Sequence, residues 1–300
     1  MIRRSRGERA FEAFNVSLMV LLSVVFLYPY VNQLAISLND ARDTAKGGVY
    51  FWPRALSMEN YDAIVRNSQF TNAAFVSVMR VLVGTAMALI VTYSAAYALS
   101  KKTLPGRMGI TTYLLIPMFI SGGLIPTFVL YRFIGIMNSF WVYVLPGLFS
   151  FYNMIIFRTF LNTIPPSLEE SVMLDGANSV QIMAYIYVPL SMPVIATVTL
   201  WLAVGQWNDW VSTLYFVQTK SLHTLQYMMY RLLKESELIV QIMAERARMG
   251  LVSSESSGAT ITPESMKAAT LIVSTLPIVC VYPFLQKYFV RGIMIGAIKE

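Results

Sequence analysis

Between Arg80 and Lys101 the chain reads Val81–Ser100, VLVGTAMALIVTYSAAYALS, without one charged residue. A helix rises about 1.5 Å per residue and the hydrocarbon core of a bilayer is about 30 Å thick, so a run of this length suffices for one crossing. Working outward, similar charge-free runs recur. They cover 13–39 and the intervals Arg107 to Arg132, Arg132 to Arg158, Asp175 to Asp209 and Lys267 to Lys287. The spacing predicts six crossings, at 13–38, 76–100, 108–131, 139–159, 189–210 and 268–287. Composition agrees: of 300 residues 56% are hydrophobic and 13% charged, where soluble domains carry about 25% charge. The predicted fold is an all-α integral membrane protein, one transmembrane domain over 1–300.

The net charge of +7 fits loops facing anionic lipid, and no basic patch with interleaved aromatics points to nucleic acid. Cys280 and His223 are the sole residues of their types. They exclude an intrachain disulfide and offer no metal site; Cys280 reads as a small packed side chain. The N-terminal Arg3-Arg4-Ser5-Arg6 before an apolar run imitates a signal peptide. The run is too long for that and lacks a cleavage site, so it reads as a retained first span. An even number of spans places both termini on one side. Lys and Arg nearly tie between the two sides, but they are denser on the short segments that include the termini, which predicts cytoplasmic termini.

Pro29, Pro117, Pro126, Pro146, Pro193, Pro277 and Pro283 lie within the spans, where they either kink helices to shape a path or mark irregular packing. Gly122-Gly123 before Pro126 weakens the third span. Either helices approach closely there or the backbone unwinds beside a cavity.

Two predicted outer loops are long, 39–73 and 211–267. In the first, Gly47-Gly48 and Trp52-Pro53 signal turns, and Ser57 or Asn60 is expected to cap a short helix. The second holds a helical pattern over Leu222–Met249, a flexible linker at Ser253–Gly258, and Thr262-Pro263 as N-cap and first residue of the last helix. It suits either an external partner or a helix packed on the bundle.

The inner segment 161–188 is the most punctuated. After Pro165-Pro166, Ser167 and Glu170 have capping-box spacing. Gly176 can take the left-handed conformation that ends a helix, Asn178 or Ser179 can cap a second helix reaching Val188, and Pro189 marks the start of the fifth span. The product is a helix–turn–helix elbow without Lys or Arg.

Glu170-Ser171-Val172-Met173-Leu174-Asp175-Gly176-Ala177, with Gln181, Ile186, Pro189 and Pro193 downstream, resembles the EAA coupling loop of ABC importer permeases. Ser171 and Val172 stand where the family has two alanines. Trp52-Pro53 with Ser57, Asn60 and Tyr61, Ser121–Pro126, Trp207-Asn208-Asp209-Trp210, and Gln286–Gly292 with Gly296-Ala297 resemble the class 1 carbohydrate-uptake (MalG-like) permeases, LplC/YtcP-like branch. The resemblance implies a MetI/MalG-like permease fold and a non-catalytic subunit of an ATP-driven oligosaccharide importer in the bacterial cytoplasmic membrane. It implies four partners besides membrane lipids: a homologous second permease, two copies of an ABC ATPase, an extracellular lipid-anchored solute-binding protein, and the oligosaccharide. ATP and Mg2+ would belong to the ATPase, since no Gly-rich loop ending in Gly-Lys-Ser/Thr occurs here; no cofactor is expected in this chain. The implied ATPase-coupling residues are Glu169, Glu170, Val172, Asp175, Gly176, Ala177 and Pro189.

Sugars are held by aromatic faces and by amide or carboxylate hydrogen bonds. Tyr152 and Asn153 in the fourth span, and Trp207, Asn208 and Asp209 at the end of the fifth, have that chemistry. Trp207 and Trp210 equally suit an aromatic belt at the membrane surface. A permease for a non-sugar solute is the alternative function. A secondary transporter would want acids within the spans, and a membrane enzyme a nucleophile or metal constellation; neither is found in the sequence.

Overall fold

The computed structural model describes residues 6–248 and 262–297. Apart from one isolated bridge between Asn39 and Leu56, regular structure among them is helical. Three helices are long and apolar enough to cross a membrane unbroken: Gly7–Ser37, Ser68–Ser100 and Pro263–Pro283. Three further candidates are bent pairs, Arg107–Phe119 with Leu124–Phe133 at 118°, Trp141–Gly147 with Phe151–Leu161 at 49°, and Ser179–Leu190 with Met192–Asn208 at 84°. Counting each bent pair as one gives up to six candidates by length and composition, although Ser179–Leu190 falls largely within the expected elbow 161–188.

Some prolines lie at the breaks and some do not: Pro146 is in the short segment Leu145–Gly147 before the fourth-span break, Pro193 is the second residue of Met192–Asn208, and Pro126 the third of Leu124–Phe133. Pro29, Pro117, Pro277 and Pro283 all sit inside continuous helices. The third span parts instead at Ile120–Gly123, so 108–131 is not one straight helix. A side chain added at Gly123 (φ +79°) would meet nothing within 4 Å, and one at Gly122 only Pro126 at 3.7 Å. Gly123 therefore frees the backbone to turn, and no other helix among the described residues comes close to it. The fourth span parts ahead of Ser150, whose hydroxyl accepts the Asn153 N–H at 3.3 Å and restarts the helix. The fifth begins at Met192; Pro189 lies before the break, in the elbow's second arm.

The described residues fall into two compact units, within Met1–Ser68 plus Met229–Leu276 and within Gln69–Met228 plus Pro277–Glu300. In the first, Asn39 organises the loop after the first helix. Its side-chain oxygen accepts the Ala55 N–H at 2.8 Å, and its side-chain NH2 donates to Asp43 and Thr44 at 3.0 Å each. Asn60 is buried and donates to the Ser37 and Asn39 carbonyls. It is thus a tie and not a cap; helix Glu59–Arg66 has Met58 at its N-cap, without a side-chain cap of its own, and the other expected residue, Ser57, accepts the Glu59 N–H at 3.2 Å. Thr262 does cap the last helix, accepting the Ser265 N–H at 3.3 Å. The expected linker Ser253–Gly258 lies outside the described residues.

In the second unit, helix Ser68–Ser100 serves two separate cores. Tyr93, Ala96 and Tyr97 pack with Phe151, Met154, Phe157, Ile182 and Val198 at one end, and Val76 packs with Val142, Tyr143 and Phe216 at the other. Cys280 is exposed and not packed as expected, in keeping with an apolar helix face whose solvent is lipid.

Candidate coupling elbow and polar cavity

The elbow forms where the sequence places it. Its first arm is Pro166–Leu174, with Pro165 as N-cap. Because the helix starts at Pro166, Ser167 is already inside it, and no Ser167–Glu170 capping box forms. The corner closes by geometry that only a left-handed residue permits. Gly176 has φ +83°; its N–H donates to the Met173 carbonyl at 3.0 Å and the Ala177 N–H to the Val172 carbonyl at 3.3 Å. This is a Schellman closure, and both Val172 and Ala177 pack on the core beneath it. The box appears at the second arm, where Asn178 and Gln181 cap reciprocally at 2.9 Å. Helix then continues through a π-helical stretch, Met183–Tyr187, to Leu190.

The two glutamates point differently. Glu170 and Asp175 are exposed. The Glu169 side chain is only 14% exposed; it pairs with Lys101 and accepts the Tyr187 hydroxyl at 2.7 Å. Burial alone would raise the Glu169 carboxyl, but hydrogen bonds from Lys101 and Tyr187 and the Lys101 charge outweigh it and hold it below the ordinary range. Burial, with the hydrogen bond donated to Glu169, pushes the Tyr187 phenol up. Around the corner the elbow exposes Leu174 (89%), Val180 and Tyr185.

A second polar feature lies near the end of the fifth span. Arg80 is 3% exposed. Its guanidinium pairs with the Asp209 carboxylate, donates to the Asp209 carbonyl at 2.7 Å and to Gln206 at 2.8 Å, and stands 4.5 Å over the Tyr143 ring. Asp209 also accepts the Ser212 N–H and hydroxyl. A Cβ on Gly84 would sit 3.0 Å from the Gln206 amide, and one on Gly147 3.3 Å from it, so small residues on two sides make room for Gln206. Arg80, Tyr143, Gly147, Gln206, Asp209 and Ser212, with Trp201, line a cavity of 350 Å³.

Of the five expected substrate residues, Asp209 alone lines this cavity. Trp207 is buried and faces an apolar cleft with Leu200, Pro277 and Val281. Asn208 is exposed, Tyr152 is exposed on another helix, and Asn153 is buried. The structure therefore does not gather the set. Sequence reading missed Arg80, Gln206 and Tyr143 here and Lys101 and Tyr187 at the elbow. Arg80 and Lys101 were in plain view as the charges bounding the opening run. The signal was that a base set 13 residues into a 33-residue apolar helix needs a partner.

Among the described residues no group of three or more His, Cys, Asp or Glu could hold a metal. Residues 84–295 match the family described as "binding-protein-dependent transport system inner membrane component". The chain belongs to that family. As a membrane component of this kind it is similar over nearly its full length to two Bacillus subtilis proteins. The polygalacturonan/rhamnogalacturonan transport system permease protein YtcP is 28% identical, covering 97% of this chain and 99% of the relative; protein LplC is 29% identical, covering 99% and 98%. The trehalose transport system permease SugB of Mycobacterium tuberculosis is 28% identical over 91% of this chain and 92% of its own. A chain in the crystal structure of a bacterial ABC transporter that imports the acidic polysaccharide alginate superposes with a TM-score of 0.84 at 26% identity, over 96% of this chain and 100% of that one.

Proposed function

We propose that this family member is one permease subunit of an ATP-driven importer for oligosaccharides, with both termini in the cytoplasm. The reading rests on one observation above the others: a rigidly capped elbow that exposes apolar side chains and a free acid where a mere connector would bury or omit them. Leu174 and Val180 supply an apolar surface for an ATPase cleft, and Glu170 a charge for a basic group on its rim. Asp175, Gly176 and Ala177 fix the corner. The partners are a second permease, two ATPase subunits carrying ATP and Mg2+, and a lipid-anchored external binding protein. ATP binding favours one state of the ATPase pair, and the elbow passes that bias to the helices.

Oligosaccharide is favoured as cargo because YtcP is a polygalacturonan/rhamnogalacturonan transport permease and SugB a trehalose transport permease. Within this chain the 350 Å³ cavity supplies suitable chemistry: Gln206 and Asp209 for hydroxyl groups and the exposed Trp201 for a pyranose face. The test is ATP hydrolysis by the reconstituted complex with its binding protein charged from a panel of oligosaccharides, peptides and phosphate. Stimulation by oligosaccharides alone is expected. Stimulation by peptide or phosphate alone would contradict the cargo reading.

A further inference from the structure

Lys101 follows directly on helix Ser68–Ser100 and is held by three elements at once. From its own helix, the Tyr97 ring centroid lies 4.1 Å from its ammonium. The elbow's first arm contributes Glu169, an ion-pair partner. The second arm contributes the Tyr187 ring at 4.3 Å. These partners also hold one another, since Tyr187 donates to Glu169 at 2.7 Å and the Tyr97 and Tyr187 rings meet edge-on at 5.1 Å. Val172, Ile182 and Ile186 seat the two arms by apolar packing. A cavity of 600 Å³ opens beside the clamp, past Ser94, Thr103, Ser179 and Val180, and Lys101 and Glu169 line it. The clamp is the charged contact at that gap.

The same helix carries Arg80, about 31 Å along the axis from Lys101 at 1.5 Å per residue. There it is joined to Gln206 and Asp209 of the fifth span. One helix thus has a polar clamp to the elbow at its C-terminal end and a second polar clamp, to the cavity wall, within its length. Packing alone would be served as well by apolar residues, because a partly buried ion pair adds little net stability. What a charged clamp adds is a fixed register between two bodies that must move together.

We propose that Lys101 is a positioning residue for energy coupling, locking both arms of the elbow to helix Ser68–Ser100 so that elbow displacement reaches the Arg80–Asp209 contact. The inference rests on the reading of the elbow as the ATPase-docking element. Its test is the ratio of substrate taken up to ATP hydrolysed in the reconstituted complex. Lys101→Met, which keeps the stem and removes the charge, is expected to assemble and hydrolyse ATP while that ratio falls about tenfold, within the usual range of coupling energies. Lys101→Arg is expected to keep most of it. A purely structural role would lower the amount of complex and leave the ratio unchanged, and an unchanged ratio in assembled Lys101→Met complex overturns the proposal. Should Lys101→Met fail to assemble, Tyr187→Phe, which removes one hydroxyl, decides by the same ratio. Glu170→Arg is the control. If it loses coupling and Lys101→Met does not, only this inference fails. If it too stays coupled, the elbow reading itself is wrong.

Discussion

At the scale of single residues, Arg80 shows how a charge is kept within an apolar helix. Its guanidinium has a carboxylate, an amide, a carbonyl and a ring face around it, so little of its hydrogen-bonding capacity is left unmet. Breaking such a pair costs more than the pair contributes, because the survivor stays buried without a partner. Arg80→Met is expected to destabilise the protein by about 3 kcal/mol or more, read as a lowered thermal midpoint in detergent. The double variant Arg80→Met/Asp209→Asn should recover part of that loss, since neither charge is then left unpaired. Additive losses would show that the two side chains act independently. The sequence displays Arg80 but not its partner. Gln206 and Asp209 lie more than 120 positions away, and only the packing of two helices brings them together.

At the scale of elements, the elbow was legible almost to the residue. Proline start, glycine corner and Asn178 cap are local chemistry, and local chemistry is written in short stretches of sequence. The misread box at Ser167 has a local cause as well: two prolines start the helix one residue before the serine. The direction of Glu169 was not legible, because it depends on Lys101 and Tyr187 from other elements. That direction carries a pH consequence. The Glu169 carboxyl is held below its ordinary range in the folded chain, so its stabilising contribution is complete above the unfolded-state value and is lost as pH falls through the folded one. The groups facing it are Lys101 and the Tyr187 phenol, and the phenol, pushed up, stays neutral through that window. Thermal stability measured through the acid range should therefore decline less steeply in Glu169→Gln than in the parent. Identical slopes would remove Glu169 from the clamp.

At the scale of the molecule, the charge-free runs gave the number of candidate crossings and little of their shape. A hydropathy window averages over turns of a few residues, so it passes over the 118° bend at Ile120–Gly123 and the 49° bend ahead of Phe151. Such bends are tolerated at membrane depth where protein or a cavity meets the freed backbone groups. The expected substrate residues do not share one cavity for a related reason: Trp207 and Asp209 are two positions apart in sequence but open on different cavities. What remains is a set of helices with one capped, exposed corner, and the proposed function has an ATPase move the helices through that corner. The most direct measurement is uptake of labelled oligosaccharide into proteoliposomes containing the full complex, with the parent chain and with Gly176→Leu. Leucine at φ +83° carries about 1–2 kcal/mol of backbone strain, enough to deform the corner without unfolding the helices. ATP-dependent uptake by the parent, abolished in an assembled Gly176→Leu complex, is the predicted result; uptake that needs no ATP, or that survives the substitution unchanged, would contradict the account.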